Sequence, residues 1–179
     1  MKEMKCVHTR RVASLMKAFL NDASDLLTAD GEVVEIMLHK DNSFQADIVE
    51  NQSEYDELDI YYNFDELFAE SSKIFRAYWV ERCPMLKGFS DITISLLHEL
   101  GHLETNEEIR PDFPVFAREL AMLAIEDRAT DNTERNNLYF ALPDEKAATE
   151  WAIKWLSDAE NRKKAKKFEK KFFACFERA

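Results

Sequence analysis

The scarcity of turn-forming residues is the feature that most constrains the fold of this chain. Its 179 residues include only three glycines and four prolines, against thirteen phenylalanines. An all-β sandwich needs a turn after each short strand, and glycine and proline are common in such turns. The composition therefore favours a helix-rich protein. The length fits one domain spanning residues 1–179, and the hydrophobic fraction of 46% is sufficient for a packed core.

The spacing of apolar residues predicts an α+β fold. Helical spacing in residues 10–28 predicts a first helix, and alternation in residues 32–39, 43–49 and 58–64 predicts three strands. Turn signals between the first two strands predict a hairpin, and with it a small antiparallel three-stranded sheet. The remainder of the chain is helical in pattern and contains one polar stretch that we interpret as a loop. The predicted helices are 65–82, 90–105, 114–129, 143–158 and 160–177, and the loop is 130–137.

The distribution of charge limits the partners that we expect. Residues 161–179 contain eight Lys or Arg and two acidic residues, a local charge of +6. Because the whole chain carries −11, the first 160 residues carry −17. Such an acidic body argues against nucleic acid as a partner, since nucleic-acid binding depends on neutralising phosphates.

The last predicted helix, taken as residues 160–178, is basic and amphipathic. Its apolar face consists of Ala165, Phe168, Phe172, Cys175 and Phe176. Such a helix could bind a membrane, a nucleic acid or an acidic partner. We expect instead that its aromatic face packs against the acidic remainder of the protein, because the two parts carry opposite charge.

Cysteine use and hydropathy predict a cytoplasmic protein. The chain has three cysteines, which are widely spaced: Cys6, Cys83 and Cys175. An odd number without a paired spacing suits a reducing compartment. Lys17 interrupts the apolar run that follows Arg11, so no signal peptide can be read. No stretch approaches the roughly 18 apolar residues of a membrane span, so we expect no membrane partner.

Residues 98–102 read His-Glu-Leu-Gly-His, and this motif carries the predicted chemistry. On a helix, His98 and His102 lie one turn apart on one face, so both imidazoles can reach a single tetrahedral metal ion. Glu99 lies about 100° around the helix, where its carboxylate can take a proton from a water that zinc activates. The opposite side of the helix forms an apolar stripe for burial: Ile92, Leu96, Leu100 and Leu103.

A catalytic zinc site usually has three protein ligands and one open position. The position six residues after His102 is Glu rather than His, so a carboxylate further downstream is the natural third ligand. Glu119 and Glu126 lie on the next predicted helix, and Glu145 begins the one after it. The helix of Glu145 presents small residues and tryptophans on one side. It could cross the metal helix closely at Gly101, which has no side chain.

The two segments together resemble short zincins of the ImmA/IrrE type, which are common in bacteria, mobile elements and phages. In that family an HELGH-like helix is paired with a later helix that reads roughly E-x-x-A-D-x-F-A. The corresponding residues here are Glu145, Ala148, Thr149, Trp151 and Ala152. Thr149 departs from the family's aspartate, which supports a metal-bound histidine. A threonine hydroxyl can accept the same hydrogen bond, but without charge.

The resemblance covers about residues 58–158 and implies a minimal gluzincin fold with a small antiparallel sheet and five to six helices. It implies that His98, His102 and Glu145 bind Zn²⁺. It also implies that an edge strand beside the metal helix binds extended substrate, for which residues 58–64 are the candidate.

Two functional hypotheses follow. The first is a zinc metallopeptidase with Glu99 as general base, acting on a protein or peptide, which by resemblance is often one regulatory protein. Tyr61, Tyr62 and Tyr139 are open candidates for stabilising the oxyanion. The second is a non-catalytic interaction or regulatory protein that keeps a zincin fold. Thr149 favours the second hypothesis, whereas Glu99 argues against it, because a purely structural metal site needs no general base.

Overall fold

The computed structural model describes residues 4–6, 9–24, 35–40, 45–49, 57–62 and 70–178, and the side chains of residues 11–24 and 76–176. This part of the chain is mostly helical. The helices are α1 (Thr9–Ala23), α2 (Glu70–Arg82), α3 (Asp91–Ile109), α4 (Val115–Arg128), α5 (Asn132–Tyr139), α6 (Pro143–Ser157) and α7 (Ala159–Phe173), with a 3₁₀ helix at Pro84–Gly88. The strands are β1 (Met4–Cys6), β2 (Glu35–Lys40), β3 (Gln45–Val49), β4 (Glu57–Tyr62) and β5 (Phe176–Arg178).

The predicted α+β class, with a small antiparallel three-stranded sheet packed with helices, is wrong. The buried side chains that the structure describes come from helices and their connections, so helix packing forms the described core. The three segments expected as strands pair in the order β2-β4-β3, but β2 runs parallel to β4. The antiparallel pair is β3 with β4.

The error in the sheet has a physical origin. A turn signal shows where the chain reverses, but it does not determine which strand becomes the hydrogen-bonded neighbour. The hairpin expected between the first two strands does not form, and each of them pairs with β4 instead. Leu58 of β4 lies opposite Ile36 of β2 on one side and opposite Ile48 of β3 on the other.

A second correction concerns residues 130–137, which we expected to be a loop. Most of this stretch belongs to α5, which begins after Asp131. The Asp131 side chain accepts a hydrogen bond from the Glu134 backbone amide at 2.8 Å, and the Glu134 carboxylate accepts one from the Thr130 amide at 2.9 Å. This is a helix-start pattern of an aspartate followed three residues later by a glutamate. Its polar composition concealed it, because α5 has no buried residue among its helical positions.

The C-terminal helix packs on the protein through its aromatic face, as predicted. Ala165, Phe168 and Phe172 of α7 are buried. The Phe168 ring stacks on Phe19 of α1, with centroids 4.3 Å apart and an interplanar angle of 9°. The helix ends at Phe173, earlier than expected, and the following β5 pairs antiparallel with β1.

One carboxylate of α7 also holds the beginning of α3. Glu169 accepts hydrogen bonds from the Ser90 backbone amide and, at 2.9 Å, from the Thr93 hydroxyl. Ser90 is the N-cap of α3, and its own side chain makes no capping hydrogen bond. The carboxylate therefore satisfies one amide donor that a helix start leaves open, and its negative charge interacts favourably with the positive end of the helix dipole.

Helix α3 lies at the centre of the described core. Ile92, Leu96 and Leu100 are buried and Leu103 is partly buried, as the predicted apolar stripe requires. The opposite side, which carries the two histidines, is covered by α6, so His98 is buried as well. Among the described residues, no helix is long and apolar enough to cross a membrane. The single-domain assignment stays a prediction.

Candidate metal centre

The candidate metal centre lies where α3 and α6 cross. The two helices approach so closely at Gly101 that a Cβ there would lie 2.9 Å from the Cα and from the carbonyl carbon of Ala148, and nearer still to its carbonyl oxygen. Glycine is therefore required at this crossing by lack of space. His98 lies about one turn before Gly101 and His102 directly follows it, and both side chains face the first turn of α6, which carries Glu145.

The ligand atoms of three side chains converge at this crossing. Nε2 of His98 lies 3.2 Å from Nε2 of His102 and 3.1 Å from Oε2 of Glu145. Nε2 of His102 lies 3.7 Å from the same Glu145 oxygen. Within the part of the chain that the structure describes, this is the one group of three His, Cys, Asp or Glu side chains arranged closely enough to hold an ion.

The arrangement fits a tetrahedral zinc ion. Ligand atoms at about 2.1 Å from such an ion lie roughly 3.4 Å from one another. The three separations of 3.1, 3.2 and 3.7 Å lie on both sides of that value. Two imidazoles and one carboxylate are also a donor set that zinc accepts in catalytic sites, with the fourth position left open.

Thr149 contacts the other nitrogen of His98. The Thr149 hydroxyl oxygen lies 2.9 Å from Nδ1 of His98, and both side chains are buried. If Nδ1 carries the proton and donates it to this hydroxyl, Nε2 keeps a free lone pair directed at the convergence point. The Thr149 hydroxyl therefore lies at the distance required to accept the hydrogen bond that we predicted for it.

Glu145 is almost completely enclosed, with 1% of its surface exposed. Burial alone raises the pKa of its carboxyl group, but hydrogen bonds and charge from His102 and His98 outweigh this effect and hold the pKa well below its usual range. The carboxylate therefore stays ionised, as a metal ligand must. Its second oxygen, Oε1, accepts a hydrogen bond from the Arg118 guanidinium at 2.9 Å.

Glu99, the predicted general base, is buried on α3 beside His98. Its charge acts on His102, whose side chain is 19% exposed and forms the most open edge of the cluster. Burial lowers the pKa of His102, but Glu145 and then Glu99 more than compensate and raise the pKa above its ordinary value. Glu99 therefore lies within electrostatic range of the site and is not one of the three converging side chains.

Tyr139 and Arg118 complete the surroundings of Glu145. Burial, followed by the charge of Glu145 and a hydrogen bond to it, raises the pKa of Tyr139, so its phenol stays neutral. Tyr139 was one of the open candidates for the oxyanion, whereas the side chains of Tyr61 and Tyr62 lie outside the described ones. Arg118 was missed, because an arginine on a helix surface has no spacing signal that marks it as part of a site.

The remaining candidate ligands are elsewhere. Glu119 and Glu126 are both exposed on α4, and neither belongs to the converging group. Glu126 instead pairs with Arg135 at 3.6 Å on the surface. Of the three carboxylates left open by the sequence, the fold brings Glu145 to the histidines.

Comparison with known proteins adds no assignment: no protein-family model, no curated protein and no solved structure matches this chain. The resemblance to the ImmA/IrrE-type zincins therefore stays a prediction from the two motifs.

Proposed function

We propose that this protein is a zinc-dependent metallopeptidase in which His98, His102 and Glu145 hold the metal and Glu99 is the general base. The observation that carries the proposal is the convergence of two imidazole nitrogens and one carboxylate oxygen at separations suited to zinc. A second carboxylate, that of Glu99, acts electrostatically on His102. A structural cluster would account for three converging side chains. It would not require an acid directly after the first histidine, whereas a hydrolase with this motif does.

The roles of the side chains follow from their chemistry. When bound, zinc would lower the pKa of a coordinated water to about 7 and polarise the carbonyl of the substrate. The Glu99 carboxylate would take the proton from the attacking water and deliver it to the nitrogen of the amine that leaves. Thr149 would keep His98 in the tautomer that leaves Nε2 free, and the neutral Tyr139 phenol is a hydrogen-bond donor beside the site.

The proposed substrate is a protein or peptide, and the proposed location is the cytoplasm. The substrate rests on the His-Glu-Leu-Gly-His motif and the resemblance described above. The location rests on the cysteines, whose odd number and wide spacing suit a reducing compartment. No substrate-binding strand is assigned, because the edge strand that we expected at residues 58–64 corresponds over residues 58–62 to β4, which is paired on both sides by β2 and β3.

The first experiment compares metal content and cleavage in matched variants. We expect about one zinc per chain in the wild type, loss of zinc in His98→Ala and Glu145→Ala, and retained zinc in Glu99→Gln. The control is Glu119→Gln, which removes an exposed carboxylate of α4 and should behave as the wild type. Cleavage is measured by incubating each variant with a proteome-derived peptide library and identifying new termini by mass spectrometry.

The results separate the proposal from its alternatives. Cleavage by the wild type and by Glu119→Gln, with none by Glu99→Gln despite a full zinc complement, would support the peptidase. Equal cleavage by Glu99→Gln and wild type would refute the role of Glu99. A wild type that neither contains zinc nor takes it up would refute the metal centre itself.

One observation favours a second candidate, a metal or ion-pair centre that only stabilises a binding protein. His98, Glu99 and Glu145 are all buried, and only His102 has an appreciable exposed fraction. If this candidate is correct, zinc removal would lower the melting temperature, and Glu99→Gln would have no effect on any activity of the protein.

A further inference from the structure

Arg118 makes a contact that the proposed reaction does not explain. It lies on α4, outside both helices that carry the candidate ligands. Its guanidinium donates from Nε to Oδ2 of Asp144 at 2.5 Å and from an Nη2 hydrogen to Oε1 of Glu145 at 2.9 Å. One arginine therefore bridges two adjacent carboxylates in the first turn of α6.

The contact divides the two oxygens of Glu145 between two partners. Oε1 is occupied by Arg118, whereas Oε2 faces the histidines, 3.1 Å from Nε2 of His98. Because Glu145 is 1% exposed, water cannot reach its carboxylate to replace the hydrogen bonds from Arg118 or from the histidines. Rotation of the carboxylate that brought both oxygens to the histidines would break the hydrogen bond to Arg118 within a buried site, which is costly.

The arginine is itself held in place. Asp144 accepts from its Nε, and the guanidinium carbon lies 6.0 Å from the centre of the Tyr139 ring, at the limit of a cation–π contact. The charge of Glu145 in turn acts on Tyr139 and helps to raise the pKa of its phenol. A planar guanidinium presents its donors to two carboxylates in one fixed geometry, whereas the three donors of a lysine ammonium rotate about a single nitrogen and fix no such geometry.

We propose that Arg118 is a positioning residue that restricts Glu145 to binding the metal through one oxygen, Oε2. This inference rests on the proposed metal centre. A carboxylate ligand that binds through both oxygens would add a coordination bond and occupy the position that a catalytic site leaves open. Arg118 would therefore preserve the open position, and its positive charge would limit the electron density that Glu145 supplies.

The test uses Co²⁺ in place of zinc, because the visible spectrum of cobalt reports its coordination number directly. The variants are Arg118→Ala and Arg118→Lys, and the control is Arg135→Ala, an arginine that is 50% exposed and pairs with a surface glutamate. We expect wild type and Arg135→Ala to give the intense visible absorption of four-coordinate cobalt. In Arg118→Ala we expect weaker, five-coordinate absorption and metal affinity lower by about 10- to 100-fold.

Two further measurements separate positioning from folding. Arg118 has a 39% exposed side chain, so a small guanidinium salt can reach the space left in Arg118→Ala and should restore the four-coordinate spectrum. Arg118→Lys keeps the charge and should fold, but its spectrum should still shift, because a rotating ammonium does not hold the two carboxylates in one geometry. A merely structural role would predict neither the rescue nor a shift in a folded lysine variant.

The outcomes distinguish this inference from the proposed function. If wild type and both Arg118 variants bind one cobalt with the same spectrum, the positioning role is refuted while the metal centre stands. If the wild type binds no cobalt, the metal centre and this inference are refuted together. A spectral shift in both Arg118 variants, reversed by guanidinium in Arg118→Ala and absent in Arg135→Ala, supports the inference.

Discussion

Gly101→Ala is the substitution that most directly tests how α3 and α6 form the candidate metal centre. The added methyl group would lie 2.9 Å from two backbone carbons of Ala148 and closer to its carbonyl oxygen. Non-bonded carbon atoms prefer about 3.5–4.0 Å, so the helices would have to separate by roughly 0.6–1.1 Å. Backbone atoms form the obstacle, so no side chain can rotate away to relieve the contact.

The expected magnitude combines two opposing terms. Forcing an extra carbon into a packed interface costs about 1–3 kcal/mol, and alanine regains up to about 1 kcal/mol through its better helix propensity. We therefore expect a net destabilisation of about 1–2 kcal/mol, or a melting temperature lower by about 2–8 °C. Since His98 and His102 are on one helix and Glu145 is on the other, the separation would also weaken zinc binding by more than 10-fold, because metal–ligand distances tolerate only about 0.2 Å.

The assay is thermal unfolding by calorimetry in chelator and in zinc, together with zinc affinity by competition with a chromophoric chelator. The matched control is Gly88→Ala, because a Cβ at Gly88 would meet no atom within 4 Å. If Gly101→Ala unfolds at the same temperature as Gly88→Ala in chelator, the close crossing of the helices is wrong. If it is destabilised but binds zinc as tightly as the wild type, the crossing does not position the ligands.

Two other predictions test the supports of α3. Thr149→Val removes the buried hydroxyl beside Nδ1 of His98 with little change in volume. We expect zinc affinity, measured by competition with the chromophoric chelator, to fall by about 10- to 100-fold. Unchanged affinity would show that His98 needs no hydrogen-bond partner at Nδ1 to bind zinc. Burial raises the pKa of the Glu169 carboxyl group, but hydrogen bonds from Lys166, Ser90 and Thr93 outweigh this effect and lower the pKa below 4.5. The ionised carboxylate therefore stabilises the folded protein fully above about pH 4.5, and this stabilisation is lost as the pH falls through the folded-state pKa. We therefore expect Glu169→Gln to melt below the wild type at pH 7 and the difference to shrink below pH 4.5; a difference independent of pH would exclude the ionised carboxylate as the cause.

Local patterns in the sequence determined most of the elements that build the site. The four-residue spacing of His98 and His102 places them on one helix face wherever that helix lies in the fold. The stripe of apolar residues on the other side required burial, and the structure buries it. Gly101 and the small residues that follow Glu145 predicted a close crossing of two helices, and this prediction is confirmed.

Other features depended on contacts between residues far apart in the chain. Periodicity predicted three strands, but their neighbours are decided by pairing over long separations, so β4 lies between β2 and β3. The start of α5 was a local signal, the Asp131–Glu134 pair, which its polar composition concealed. The hydrogen bond from the Ser90 amide at the start of α3 to Glu169 joins residues about eighty positions apart, and no local pattern encodes such a contact.

The sequence by itself determined that two histidines and an acid share a helix, because helix geometry converts spacing into direction. Helical pattern alone left Glu119, Glu126 and Glu145 as candidate partners, and the resemblance to the ImmA/IrrE-type zincins favoured Glu145. Only the tertiary structure decided among them, by crossing α6 over Gly101 so that Glu145 is brought to within 3.1 Å of His98. The position of Arg118 was also decided at that level, because its two carboxylate partners lie on a different helix.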